Sequence, residues 1–348
     1  MNLKLEKIRA RAPLRVSFGG GGTELSPYVE RFGGQVLNAT INVYAYAFLE
    51  HNENNEISFH AVDIDERFVT KLSPRLETDD ASNLVIHRAV YNRVVEQFNS
   101  GVGIPVSLST FCEAPVGSGL GSSSTLTVAI LKAYDDLMGL ALGRYELAKL
   151  ALQIERHDLK LKGGKQDQYA ASFGGFNMLN FYRDDLVEVN PLRIDDWIKK
   201  ELEISMLLYY TGISRESGDI IEGQTGNIIA DDQQTIVNLH KIKTYSTKLK
   251  EELILGQLTD FSRLIHESWE SKKATSGRIT NEVIDRMYEI ARKNGALGGK
   301  LSGAGGGGFL MLFCDPLQAH EIREALRTEK GYFSPFHFTT EGAQSWRI

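Results

Sequence analysis

The segment Pro115-Val116-Gly117-Ser118-Gly119-Leu120-Gly121-Ser122-Ser123-Ser124-Thr125 leaves this chain few ways to fold around it. Before it, Val106 to Cys112 alternates apolar and polar residues, which predicts a strand. After it, Leu126, Ile130, Ala133 and Leu137 recur at helical spacing. A glycine loop therefore runs from a strand into the N-terminus of a helix, with serines on the first turn. Glycines let backbone approach a ligand closely and adopt positive φ. The free N–H groups of a first helical turn, at the positive end of the helix dipole, favour an anion. The serine hydroxyls could cap the helix, bind phosphate oxygen or ligate Mg²⁺. The combination reads as a phosphate cradle, since a capped helix alone would need neither the glycines nor four consecutive hydroxyl residues.

Other phosphate motifs fail on spacing. A Walker A loop requires Ser or Thr after its Gly-Lys, and neither Gly164-Lys165 nor Gly299-Lys300 supplies one. A dinucleotide fingerprint G-x-G-x-x-G fails in the loop Pro115 to Thr125 because position 124 is Ser. Gly303, Gly305 and Gly308 match it by letter, but that loop follows a helix and precedes the strand Phe309 to Phe313, which inverts the required context.

Along the chain, Ile8 to Phe18 has period two and predicts a strand, with Arg9 and Arg11 on its solvated face. Arg15 is set apart because it comes just before Gly19-Gly20-Gly21-Gly22-Thr23-Glu24, another loop where backbone meets ligand or another segment closely. Strands are expected over Val36 to Glu50 and through Glu56 to Phe68, and helices over Asn83 to Phe98 and Arg144 to Lys162. In the latter, Leu147, Leu150, Ala151, Ile154 and Leu161 form the apolar stripe and Glu155 lies beside it. Gly163-Gly164 closes that helix. A short one follows to Gly174-Gly175, placing Asp167 in a first turn, where in isolation it is an ordinary dipole-favoured carboxylate. A strand is expected over Ile204 to Tyr210, and helices across 225–255 and 281–293. The chain turns polar around Pro191 to Glu203, so the expected division is 1–198 and 199–348, two units being the natural reading for 348 residues.

Composition narrows the partners. A hydrophobic fraction of 42% with 24% charged residues is globular, and the net charge of −6 argues against a nucleic-acid or membrane-surface binder. An anionic ligand must then be held by glycine amides, a few local cations and a metal. Lys162, Lys165, Arg183 and Arg215 are available for a substrate phosphate, each of them otherwise a surface charge. Cys112 and Cys314 read as buried thiols. With no apolar leader or 18-residue apolar stretch, a soluble, cytoplasmic protein is expected. Oligomeric state is left open.

Taken together the glycine loops resemble those of the GHMP small-molecule kinases. Ala12-Pro13-Leu14-Arg15-Val16 looks like that family's first motif. Pro115-x-Gly-x-Gly-Leu-Gly-Ser-Ser is its second and most specific. Lys300-Leu301-Ser302-Gly303-Ala304-Gly305-Gly306-Gly307-Gly308 is similar to its third. The resemblance implies an α+β fold of two domains, the N-terminal one ribosomal protein S5 domain 2-like and the C-terminal one ferredoxin-like. It also implies ATP and Mg²⁺. Nucleotide would lie along Pro115, Gly117, Ser118, Gly119, Leu120, Gly121, Ser122, Ser123 and Ser124, with Ser123 and Glu155 on the metal. Asp167 would orient or deprotonate the acceptor hydroxyl, and Arg15 would be a cation near the transferring phosphoryl group. Gly21, Gly22, Thr23, Glu24, Lys162, Lys165, Gly303, Ala304 and Gly305 would meet the substrate. The galactose-specific signature Gly-Glu-His-Thr-Asp-Tyr is replaced by Gly20-Gly21-Gly22-Thr23-Glu24-Leu25. The phrases SFGGGGTEL, FGGQVLNATI and GGKQDQYAASFGGFN look most like the branch acting on D-glycero-D-manno-heptose 7-phosphate, where position 24 is usually Asp. That branch implies phosphorylation of the anomeric hydroxyl of a small sugar phosphate. Related L-fucose kinases share much of the pattern. A catalytically silent sugar sensor is the remaining alternative, which the joint presence of Arg15, Ser123, Glu155 and Asp167 disfavours.

Overall fold

The structure, a computed structural model, describes residues 7–78, 82–214 and 217–348. Its strands in chain order are β1 (Lys7–Gly19), β2 (Gly34–His51), β3 (Glu56–Ala61), β4 (Glu66–Lys71), β5 (Val106–Cys112), β6 (Phe176–Phe181), β7 (Val187–Pro191), β8 (Met206–Tyr210), β9 (Ala296–Leu301), β10 (Phe309–Cys314), β11 (Tyr332–Ser334) and β12 (Gln344–Arg347). The first sheet has the order β12-β1-β2-β5-β3-β4, with β6 also on β2 and β7 beyond it; the second is β11-β8-β10-β9. Among the described residues all strand pairings are antiparallel except β3 with β5. β2 is the spine, pairing β1 along its length, β5 through Ala45–His51 and β6 through Gly34–Ala39.

Helices Val85–Phe98 and Ser122–Met138 supply the apolar faces that cover the first sheet. Helices Gln233–Leu255 and Leu258–Lys273 bridge to the second. One buried cluster runs through both, from Ile8 and Phe18 to Leu249, Phe261 and Phe313. At the seam the Phe18 and Phe261 ring centroids are 5.5 Å apart and those of Phe261 and Phe313 5.7 Å, edge-to-face.

Several boundaries differ from the sequence reading, each for a local reason. The helix expected to reach Lys162 is α-helical only over Arg144–Gln153; Ile154–Asp158 is a π-helical turn, and Leu161 lies beyond it, 37% exposed rather than inward. Ile204 belongs to helix Asp196–Ser205 and faces solvent, so strand β8 starts at Met206. The helix expected across 225–255 is two, Ser217–Ile229 and Gln233–Leu255, split where the Asp232 side chain accepts the Thr235 N–H. Helix Leu258–Lys273 is additional. The last strand returns to pair with β1, Ile8 opposite Arg347. Both cysteines are free thiols, Cys314 buried and Cys112 half-buried, and burial pushes both up to about 11. No helix among the described residues is long and apolar enough to cross a membrane.

Candidate active site

The glycine loops converge on one cleft of about 540 Å³ between the two sheets. In the second loop Gly121 has φ 80° and precedes helix Ser122–Met138, which has no side chain capping its first turn. The serines therefore do not cap, and Ser122, Ser123 and Ser124 of that turn line the cleft. A Cβ on Gly121 would stand 2.9 Å from Asp167 Cγ. Glycine is thus required there twice, by its left-handed backbone and by the carboxylate packed against it. The third loop seals against the second in the same way: a Cβ on Gly119 would meet the Ser302 carbonyl at 2.3 Å.

Arg15 ties these loops together. Its Nε donates to Asp167 Oδ1 at 2.7 Å, and its Nη1 to the Gly119 carbonyl at 2.6 Å and Ser302 Oγ at 3.2 Å. The guanidinium is 3% exposed and the Asp167 side chain 23%, so the carboxylate is clamped from behind and open in front. Asp167 sits in the first turn of helix Gln166–Phe173.

Of the residues expected to meet nucleotide, Gly117, Gly119, Gly121, Ser122, Ser123 and Ser124 line the cleft. Pro115, Ser118 and Leu120 do not. Ser118 and Leu120 are fully buried, and the Ser118 carbonyl accepts the Phe309 N–H at 2.9 Å, so they brace the loop from within. Glu155 is 1% exposed. The hydroxyl that reaches its Oε2 is that of Ser124, at 2.8 Å, and not that of Ser123, which stays exposed at the cleft. Gln168 Nε2 donates to the same Oε2 at 2.9 Å, and Arg156 Nη1 lies 3.3 Å from it. Glu155 Oε1 is buried with no hydrogen-bond partner. Burial raises the Glu155 carboxyl, with Arg156 opposing. The π turn presents the adjacent Glu155 and Arg156 to the same cleft.

On the other wall, Gly21, Gly22 and Glu24 from the first loop and Gly303, Ala304 and Gly305 from the third line the cleft. Thr23 does not: its hydroxyl donates to the carbonyls of Gly20 at 2.8 Å and Gln35 at 3.1 Å, fixing the loop's turn. The expected cations are mostly committed elsewhere. Lys162 lines the cleft but pairs with Glu222 at 2.7 Å. Lys165 is absent from the lining and pairs with Asp185 at 2.5 Å. Arg183 donates to the Glu30 carbonyl at 3.3 Å, and Arg215 lies outside the described residues. Among the described residues, the other cations lining the cleft are Arg15, Arg156 and Lys272. Lys272, with Gln166 and Gln224, was not singled out by sequence. Gln166 was within reach, since it adjoins Asp167; Lys272, in a Lys-Lys pair at a helix end, carries no local mark of burial.

The chain matches the description GHMP kinases N terminal domain over residues 83–175 and GHMP kinases C terminal over residues 249–332. It is 43% identical over 344 residues, 99% of this chain and 100% of the other, to a D-glycero-alpha-D-manno-heptose 7-phosphate kinase of Campylobacter jejuni. The crystal structure of a D-glycero-D-manno-heptose 1-phosphate kinase from Bacteroides thetaiotaomicron superposes with a TM-score of 0.83 at 39% identity, covering 98% of this chain and 99% of that one. An L-fucokinase/L-fucose-1-P guanylyltransferase of Bacteroides fragilis is 30% identical over 92% of this chain and 36% of its own length. The chain belongs to the GHMP kinase family. Membership makes it a kinase with ATP as co-substrate, and its two-domain α+β fold is that family's.

Proposed function

We propose that this enzyme transfers the γ-phosphoryl group of ATP to the anomeric 1-hydroxyl of D-glycero-alpha-D-manno-heptose 7-phosphate, giving the 1,7-bisphosphate. The observation that carries the reading is Asp167, clamped by Arg15 at 2.7 Å and packed against Gly121 at the start of the serine-bearing helix. An acceptor oxygen resting on Asp167 is thereby placed next to the phosphate cradle. Phosphoryl transfer needs little else than this alignment and compensation of negative charge. The N–H groups of the first turn would hold the β-phosphate, and Arg15 would face the charge that develops during transfer. Asp167 accepts the hydroxyl's hydrogen bond and takes its proton as the new O–P bond forms. An anomeric hydroxyl is more acidic than an ordinary alcohol, which eases that step.

Mg²⁺ fits the donor set here, because Glu155 Oε1 is a buried carboxylate oxygen with no hydrogen-bond partner, and exposed Ser123 lines the same cleft. Ser123 and Glu155 would hold it, Ser124 and Gln168 orienting the carboxylate through Oε2. The ion's contribution would be to neutralise the polyphosphate. Glu155→Gln preserves the shape and the Ser124 contact but removes the charge. It should raise the Mg²⁺ concentration for half-maximal activity by roughly 10-fold or more with an unchanged circular-dichroism spectrum. An unaltered Mg²⁺ titration would return Glu155 to a purely structural role.

The two heptose relatives carry names that differ in the phosphate, 7-phosphate in one and 1-phosphate in the other. A sugar already blocked at position 1 has no anomeric hydroxyl to offer Asp167, which favours the 7-phosphate. A second reading has its own support. With Lys162 and Lys165 both ion-paired, the cleft is poorer in free cations than a phosphorylated acceptor would want, and an unphosphorylated sugar such as L-fucose fits that balance. A coupled ATPase assay decides. Heptose 7-phosphate should exceed free heptose, heptose 1-phosphate and L-fucose by roughly 10²-fold in kcat/KM if one shielded phosphate contact contributes about 3 kcal/mol. Equal use of the free sugars would favour the second reading.

A further inference from the structure

Lys272 and Lys273 end helix Leu258–Lys273, where paired lysines ordinarily serve the helix C-terminus in solvent. Lys273 does so, pairing with Glu270 at 2.8 Å. Lys272 does not. It is 6% exposed, lines the cleft, and donates from Nζ to the Gly21 carbonyl at 2.9 Å and to Gln224 Oε1 at 3.3 Å. An ammonium has three N–H donors, so one is left for the cleft.

Facing it is Glu24, 3% exposed, whose Oε2 accepts the Gly22 N–H at 2.6 Å and whose Oε1 accepts Gln166 Nε2 at 3.1 Å. Both oxygens retain acceptor capacity. The two side chains attract each other electrostatically, yet no ion pair within 4.0 Å joins them. Two buried opposite charges that stop short of contact bear the desolvation cost without the full Coulomb return. Each side chain packs closely against glycine backbone. A Cβ on Gly22, at φ 106°, would come 2.8 Å from Lys272 Nζ, and one on Gly164 2.6 Å from Glu24 Oε1.

We propose that Lys272 is a specificity-determining residue for the acceptor, and that with Glu24 it holds a single sugar hydroxyl, which donates to the carboxylate and accepts from the ammonium. A hydroxyl alone among sugar groups is donor and acceptor at one atom. The Glu24 carboxylate disfavours a phosphate in this slot, because two anions would then share the one Lys272 ammonium. A phosphate on the acceptor would then meet Arg156, or take Lys162 from Glu222. The inference rests on the sugar-kinase reading of the cleft and deepens it.

The test uses the wild-type enzyme, Lys272→Met, and the 2-, 3- and 4-deoxy analogues of the best acceptor. In the wild type one analogue should lose roughly 10- to 100-fold in kcat/KM. Lys272→Met should lose a similar factor on the parent sugar, mainly through KM, with the KM for ATP unchanged. On that one analogue the variant should lose little more, because the contact is already gone. The inference is overturned if no analogue costs the wild type more than about threefold, a measurement that needs no variant to fold. It is equally overturned if Lys272→Met binds the parent sugar as the wild type does. Should heptose 7-phosphate not be turned over at all, the proposed acceptor is wrong, and the same comparison on whichever sugar is used still decides Lys272. An enzyme that phosphorylates no sugar overturns both.

Discussion

Asp167→Asn should retain ATP affinity and lose roughly 10²–10⁴-fold in turnover. The substitution is nearly isosteric. The carboxamide oxygen can still accept from Arg15 Nε, which now binds Asp167 Oδ1 at 2.7 Å, so the side chain keeps its place. What changes is the face turned to the acceptor: an amide NH₂ donates where the carboxylate accepted, and it cannot take a proton. The packing of Gly121 against this side chain leaves little freedom for another group to substitute for it. Steady-state turnover with ATP and acceptor varied separately checks this. A variant retaining more than about a third of wild-type turnover would remove Asp167 from the chemistry.

The second large effect is expected at Arg15. Arg15→Lys keeps the charge but replaces a planar fork with a single ammonium. One ammonium on a different stem cannot reproduce donation to Asp167, the Gly119 carbonyl and Ser302 Oγ together. Asp167 would lose its rear support and the seal between the second and third loops would loosen. Displacements of about 1 Å in such alignments cost on the order of 10²-fold, and turnover should fall by that factor. The KM for ATP should rise only severalfold. Turnover within threefold of wild type would show that Arg15 is a structural cation alone.

The glycine loops were the most legible part of this protein in its sequence. Positive φ at Gly121 and the close approaches at Gly119 and Gly22 admit almost no other residue, so letter and geometry coincide. Arg15, Glu24 and Asp167 stand near glycines in the chain, Glu155 was named from the family resemblance, and all four line the one cleft. Burial and pairing were not legible. Nothing local distinguishes Lys272, which turns into the cleft, from Lys165, which turns out to Asp185; that is decided by which helix packs over Gly21. The choice of Ser124 over Ser123 as the partner of Glu155 depends on the π turn at Ile154–Asp158, a change of helical register that periodicity read straight through. Helix Leu258–Lys273 was also missed, and the closing strand was missed for a related reason. Short segments of mixed polarity acquire their structure from the sheet they land on, as with Gln344–Arg347 on β1.

That closing strand bears on how such kinases can be recombined. A division near residue 198 falls inside helix Asp196–Ser205, and the chain that follows does not stay in the second sheet: β12 recrosses to lie beside β1, where Arg347 Nε also reaches Asp136 at 2.8 Å. A chimera made by one crossover would therefore import a foreign edge strand into the first sheet along with the second half. Exchange that respects the architecture takes two crossovers, one before β8 and one after β11, leaving β12 with the parent that contributes β1. Libraries built to graft an acceptor wall from one relative onto the nucleotide cradle of another would be cut at those two seams.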